Sequence, residues 1–270
     1  MTRRLAYAEQ LELAHRVTEP AIRQAIAHLE LVPGGHGLDL GCGIGRHTLW
    51  LAEAAGPGGR VVGLDDNAEN LAVARRLAGD SPVGERIELV DADLRSLPFP
   101  DASFDWIWCA DTFWPGAVIG DPVATVSALR RTLKPGGRLT LLYWSSQSLL
   151  PGHPALEARL DAAFAVTTRY LADIPPERQF MRAGGWLQAA GLADVQARTF
   201  LAEVAAPLTP PLREALAFVF AMLWDGLEPH LEPPDWDAYR RLCDERSSEC
   251  VLDTAAYYGF VTYTAFSGRA

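Results

Sequence analysis

The tightest constraint in this chain is a short apolar run that breaks into three alternating glycines and then into a helix-patterned segment. Leu38-Asp39-Leu40 leads into Gly41-Cys42-Gly43-Ile44-Gly45, and Arg46-His47-Thr48-Leu49-Trp50 follows. The pattern predicts a buried strand, a tight loop and a helix. Glycine lacks a Cβ, so a loop built on it can turn sharply and let a ligand lie against the backbone. The alternative is a plain strand-to-helix turn that uses glycine for geometry alone.

The same alternation recurs downstream. Strands are expected at 36–41, 60–65, 86–90, 104–110 and 138–143, with helices at 46–55, 68–78 and 122–133 between them. Asn67 and Asp121 are the N-caps of the second and third helices. Lys134-Pro135-Gly136-Gly137 ends the third. A helix over 4–31 precedes the first strand, with Pro20 read as a helix start. Strands alternating with helices imply an open, doubly wound α/β domain with a mostly parallel sheet. Ligands of such sheets bind beyond the carboxyl ends of the strands, near the switch point, which is where the glycine loop falls.

After 145 the rhythm changes. Helices are expected at Pro154–Tyr170, Arg178–Ala190, Leu212–Leu227 and Asp235–Cys243, and strands at Asp194–Val204 and Tyr257–Phe266. The fold expected is a seven-stranded sheet with an antiparallel edge hairpin and an inserted C-terminal helical cap, 208–250 lying over the top. Three regions follow: an N-terminal helical lid at 1–35, a core at 36–145, and 146–270 completing the sheet with a cap for the substrate.

Composition narrows the partners. A net charge of −10 argues against nucleic acid, because phosphate binding needs a basic surface. Arg75-Arg76 and Arg130-Arg131 fall on predicted helices and read as solvated faces. The early charges at the N-terminus do not fit a secretory signal. The longest apolar helix, Ala215 to Trp224, is too short to span a bilayer. Cys42, Cys109, Cys243 and Cys250 lack metal-ligand spacing and read as reduced thiols of a cytoplasmic protein; no metal is expected. The oligomeric state is left open.

Two ligands compete for the loop. A dinucleotide wants G-x-G-x-x-G and a carboxylate about 20 residues further on. Asp65 supplies the carboxylate, but Arg46 occupies the third-glycine position. Asp93, past the third strand, offers an acceptor for an exocyclic amine, and Leu94 an apolar face for a purine. Glycines, Asp65 and Asp93 at neighbouring strand ends describe a nucleoside laid across three strands, with nothing that asks for phosphates.

These residues resemble the class I S-adenosylmethionine-dependent methyltransferases, in the branch similar to the quinone-biosynthesis enzymes. The resemblance rests on Leu38 to Gly45, Val62-Gly63-Leu64-Asp65, Asp91-Ala92-Asp93-Leu94, Leu97 to Asp105, and Leu133-Lys134-Pro135-Gly136-Gly137-Arg138-Leu139. It covers residues 25–145 and fades beyond. It implies a Rossmann-like core with S-adenosyl-L-methionine as co-substrate. Gly41, Gly43 and Gly45, with Cys42 beside them, would hold the methionine portion and ribose. Asp39 would orient the amino group. Asp65, with Asp66 next to it, would hold the ribose hydroxyls, and Asp93 and Leu94 the adenine. Cys109 and Ala110 would lie beside the methionine. Arg46 and His47 depart from expectation, since a helix N-terminus disfavours cations; either an anion lies nearby or Arg46 reaches solvent, with His47 open.

Methyl transfer to a small, fairly apolar metabolite needs alignment of the nucleophile more than a fixed catalytic group, although a hydroxyl acceptor needs a base. Asp111, past the fourth strand, and His153, past the fifth, are the candidate bases. Phe113, Trp114, Trp144 and Gln147 are further candidates for acceptor contact. Tyr7 and His15 belong to the helix expected to act as a lid. The aromatics Trp224, Trp236, Tyr239, Tyr257 and Tyr258 read mainly as packing of a helical layer. Rival readings are an NAD-type oxidoreductase and a non-catalytic S-adenosylmethionine-binding module.

Overall fold

A computed structural model describes residues 6–270 of the chain. The sheet has seven strands: β1 (His36–Leu40), β2 (Arg60–Asp65), β3 (Ile87–Asp91), β4 (Phe104–Ala110), β5 (Leu133–Ser148), β6 (Ala193–Ala205) and β7 (Tyr258–Arg269). Their order is β3-β2-β1-β4-β5-β7-β6. β1 to β5 pair in parallel, and β7 runs antiparallel between β5 and β6. The order reverses between β1 and β4, so that is the switch point.

Among the described residues, eight α-helices flank the sheet: α1 (Tyr7–His28), α2 (Arg46–Ala54), α3 (Ala68–Gly79), α4 (Pro122–Thr132), α5 (Pro154–Thr167), α6 (Ala183–Ala189), α7 (Pro210–Trp224) and α8 (Pro233–Cys243). The apolar strands bury both faces, as central parallel strands do. One core joins α1, α2, α5, α7 and α8 on one face, with Trp50, Trp108, Phe220 and Trp224 buried in it. The other packs α4 and α6 against β4 and β5 through Phe104, Phe113, Tyr143 and Trp186. Tyr239 stacks on Trp236 and meets Trp224 edge-on, in line with the packing role read for the tail aromatics.

Register sets the site. Leu40 pairs with Leu64, Asp65 with Asp91, and Asp39 with Trp108. The carboxyl ends of β3, β2, β1 and β4 therefore finish on one rim, which gathers Asp93, Asp65, Gly41 and Asp111.

Several expectations need correction. Pro20 lies inside α1 rather than at a helix start. A helix of 22 residues packed along α7, β6 and α2 can absorb the one backbone bond that proline removes. The Lys134–Gly137 stretch belongs to β5, which begins with an irregular register against β4 and runs on to Ser148 because β7 pairs with it that far. α5 stops at Thr167, whose hydroxyl bonds back to the Ala163 carbonyl at 3.0 Å. The helix expected at 178–190 is the short α6 preceded by two 3₁₀ turns. As expected, β6 and β7 pair antiparallel at the sheet edge, and their connection carries the helices α7 and α8.

Candidate active site

A cavity of about 410 Å³ opens at the rim. Its floor starts at the glycine loop. Gly41 has φ +75°, and a Cβ there would come within 2.3 Å of Thr112 Cγ2. Gly45 has φ +80° as the N-cap of α2, and a Cβ there would lie 2.8 Å from the Ala74 Cβ on α3. Glycine at these two positions is demanded by the protein's own packing. The loop amides are engaged internally: Gly41 and Cys42 donate to the Leu64 carbonyl at 2.8 and 2.9 Å, Gly45 to the Cys42 carbonyl at 2.9 Å, and Gly43 to Asp65 Oδ2 at 2.9 Å.

Asp65, Asp66, Asp93 and Leu94 line this cavity with Gly41, as expected. Asp65 Oδ1 accepts from the Asn67 amide at 3.0 Å and, at 3.5 Å, from the Asn70 side-chain amide, while Oδ2 takes one N–H and keeps acceptor capacity. Burial raises its pKa. Asp93 is gripped by Arg95, whose Nε lies 2.9 Å from both oxygens and whose terminal nitrogen is 2.6 Å from Oδ2. Bonds from Arg95 hold that carboxyl down at about 2.

Other predicted cofactor residues sit beneath the loop, outside the set that lines the cavity. Asp39 is buried and accepts from Thr48 Oγ1 at 2.6 Å, tying β1 to α2; burial pushes its pKa up to about 7. Cys42 packs toward Gly63, and Cys109 and Ala110 are core residues. Burial raises both thiols. Gly43 and Gly45 contribute through the loop's shape.

Asp111 faces the cavity at the end of β4 with φ +47°, a left-handed conformation that aspartate tolerates better than most residues. Three bonds fix it there. Its Oδ1 accepts from the Trp144 amide at 2.9 Å, its Oδ2 from the Tyr263 hydroxyl at 2.7 Å, and its carbonyl from Trp114 Nε1 at 2.7 Å. The residue is accessible from the cavity while its carboxylate lies deep, and that burial raises its pKa to about 6 despite the two donors. Tyr7, Thr112, Trp114, Arg169 and Tyr170 complete this end. His153 is placed elsewhere: it is the exposed N-cap residue of α5 and does not line the cavity. Phe113 is core, and its carbonyl accepts from Tyr143. Trp144 and Gln147 bond to each other beside the cavity lining.

α1 closes over the loop. Glu12 grips Arg46 through two bonds of 2.9 and 2.6 Å, so the anion that answers the cation at the start of α2 is a side chain of α1. His15 stacks on His47 with ring centroids 4.9 Å apart. Burial keeps both imidazoles neutral, pushing His15 down to about 4 and His47 well below its ordinary value. Burial tends to raise Glu12, but Arg46 outweighs it and holds the carboxyl below its ordinary value, so the pair's contribution is present at neutral pH and is lost as the pH falls through the folded-state pKa. Both side chains are about one-third exposed, at 34% and 33%. Glu12→Ala is therefore expected to cost about 1 kcal/mol and lower the melting temperature by about 2–4 °C. Calorimetric unfolding with no shift would show that the pair does not hold α1.

Residues 38–141 match the family described as Methyltransferase domain. Over 120 residues the chain is 37% identical to a demethylmenaquinone methyltransferase of Symbiobacterium thermophilum, covering 44% of this chain and 47% of that protein. Over 128 residues it is 35% identical to a ubiquinone/menaquinone biosynthesis C-methyltransferase of Hahella chejuensis, covering 47% and 49%. The fold is shared with a SAM-dependent methyltransferase structure from Aquifex aeolicus at a TM-score of 0.52 and 21% identity, covering 73% of this chain and 92% of that one. Residues 38–141 thus carry a methyltransferase domain, the part of the chain that the family match covers. The chain spans about half the length of these two curated relatives. The domain supplies the glycine loop, Asp65, Asp93 and Asp111, whereas Tyr7, Arg169, Tyr170 and Tyr263 come from outside it. Tyr263, Arg169 and Tyr170 were missed in the sequence. Only the aromatic alternation of β7 hinted at Tyr263. Among the described residues, no helix is long and apolar enough to cross a membrane, and no group of three or more His, Cys, Asp or Glu is placed to hold a metal.

Proposed function

We propose that this chain transfers a methyl group from S-adenosyl-L-methionine to a small, fairly apolar metabolite whose nucleophile is a hydroxyl, such as a phenol. The carrying observation is the single rim that brings the glycine loop, Asp65, Asp93 and Asp111 to one cavity. The fit to the nucleoside rests on Asp65, whose Oδ2 keeps acceptor capacity toward ribose hydroxyls, and on Ala92 and Leu94 as apolar contacts for adenine. Asp93 would share its carboxylate between Arg95 and the adenine amine. A dinucleotide fits less well, because the amides of Gly41, Cys42, Gly43 and Gly45 are already engaged and a pyrophosphate needs free ones.

The bound co-substrate supplies an electrophilic methyl on a sulfonium. The chain's own residues do the rest. Asp111, held by Trp144 and Tyr263, accepts the proton of the acceptor hydroxyl. The resulting phenolate is nucleophilic at oxygen and at ring carbon. Trp114, Tyr170 and Tyr7 wall the acceptor end and exclude water, which strengthens the electrostatics there. α1 is the lid, supported by Tyr7 in the lining and by the Glu12–Arg46 clasp. The segment after β5 provides the cap through Arg169 and Tyr170. The four cysteines are free thiols, in keeping with a cytoplasmic setting.

Calorimetry with S-adenosylhomocysteine, followed by methyl-labelled S-adenosylmethionine incubated with the small-molecule fraction of a cell extract, tests this reading. Micromolar binding and label in one or a few metabolites are expected. Binding without transfer would favour the non-catalytic module, and binding of NAD in place of S-adenosylhomocysteine would overturn the assignment.

A further inference from the structure

Of the two arginines in the cavity lining, only one is neutralised. Arg95 is committed to Asp93 through three short contacts. Arg169 bonds to the Tyr170 hydroxyl at 2.7 Å and stacks on that ring, 4.8 Å from its centroid. It has no carboxylate partner among the described residues. The cavity is otherwise anionic, with Asp65, Asp66, Asp93 and Asp111 in its lining. Arg169 is an exposed residue of that lining, so its guanidinium is open to an anion from outside the chain.

Its neighbours say where that anion belongs. Tyr170 contacts Trp114 with ring centroids 5.3 Å apart, and the Trp114 indole bonds to the Asp111 carbonyl. Arg169, Tyr170, Trp114 and Asp111 thus form one continuous run of contacts. Asp111 closes β4, whereas the nucleoside residues Asp65 and Asp93 follow β2 and β3 on the other side of β1. The run therefore belongs to the acceptor's end of the cavity. Flat aromatic walls suit a ring, and a planar guanidinium suits a carboxylate through paired N–H donors.

We infer that the acceptor is an aromatic ring bearing both a hydroxyl, which meets Asp111, and a carboxylate, which Arg169 receives. This rests on the methyltransferase reading of the same cavity. In keeping with it, Tyr7 of α1 lines the same cavity, so the carboxylate would have an O–H donor in the lining.

The probes are para-hydroxybenzoate and its neutral counterpart para-hydroxybenzamide, titrated calorimetrically into protein saturated with S-adenosylhomocysteine. The benzoate is expected to bind at least about ten-fold more tightly. Arg169→Gln should reduce that preference to within about two-fold while S-adenosylhomocysteine binds as before, and Arg169→Lys should restore part of it, since a lysine keeps the charge but loses the fork. Equal affinity for the two probes, a preference that survives Arg169→Gln, or binding of neither ring would overturn the inference. Failure of S-adenosylhomocysteine itself to bind would instead remove the reading beneath it, and the inference with it.

Discussion

Asp65→Ala is expected to weaken S-adenosylhomocysteine binding at least about 100-fold, close to 3 kcal/mol. Two losses add. The ribose hydroxyls lose a charged acceptor, and each hydrogen bond to a charged group is worth about 1.5–3 kcal/mol. The Gly43 amide also loses its partner, which frees the middle of the glycine loop. Asp65→Asn keeps one carbonyl acceptor and should cost less, about ten-fold. Asp93→Ala should cost less again, a few-fold, because Arg95 already occupies both oxygens of Asp93. Calorimetry ranks the three variants. Wild-type affinity in Asp65→Ala would remove the nucleoside from this rim.

Asp111→Asn is expected to lower methyl transfer by about 10²–10⁴-fold, the usual contribution of a positioned base. The pH profile gives the sharper test. Burial sets the carboxyl near 6, while the Trp144 amide and Tyr263 hydroxyl favour its charged form. A base must be deprotonated, so the wild-type rate should rise with pH through about 6 and level off above it. Asp111→Asn should lose that limb. Tyr263→Phe removes a donor to the charged form, so it should move the limb to higher pH. Label transfer to the extract fraction measured across pH separates these outcomes, and S-adenosylhomocysteine binding distinguishes lost chemistry from lost fold. An unchanged rate in Asp111→Asn would dismiss the base.

The part of the fold nearest the site was the most legible. β2 and β4 lie where their apolar runs place them, because central parallel strands leave little ambiguity in period or length. Asn67 and Asp121 cap their helices through side-chain bonds, as their positions implied. Strand-end carboxylates were legible for the same reason: once the strands align, Asp65, Asp93 and Asp111 must share a rim. Face was harder to read. Asp39 and Cys42 adjoin the loop in sequence, and Cys109 and Ala110 end the neighbouring strand β4, yet all four are buried residues outside the cavity lining. His153 was lost to strand length. β5 runs five residues beyond the expected Tyr143, and at about 3.3 Å per residue that carries the next turn well away from the rim. Arg169 and Tyr170 reach the cavity because α5 ends early, and a back-bonding threonine is a faint signal for that. Tyr263 depends on a pairing between β5 and β7 that spans more than a hundred residues of chain, where local pattern carries no register.

β7 lies between β5 and β6, so β6 has no neighbour in the sheet until the strand made long after it has slotted in. That late strand also carries the hydroxyl that steadies Asp111. Assembly and the setting of Asp111 are thereby coupled: the glycine turn is built from β1 and β2 alone, whereas the Asp111 carboxylate gains its second donor only once β7 is in place.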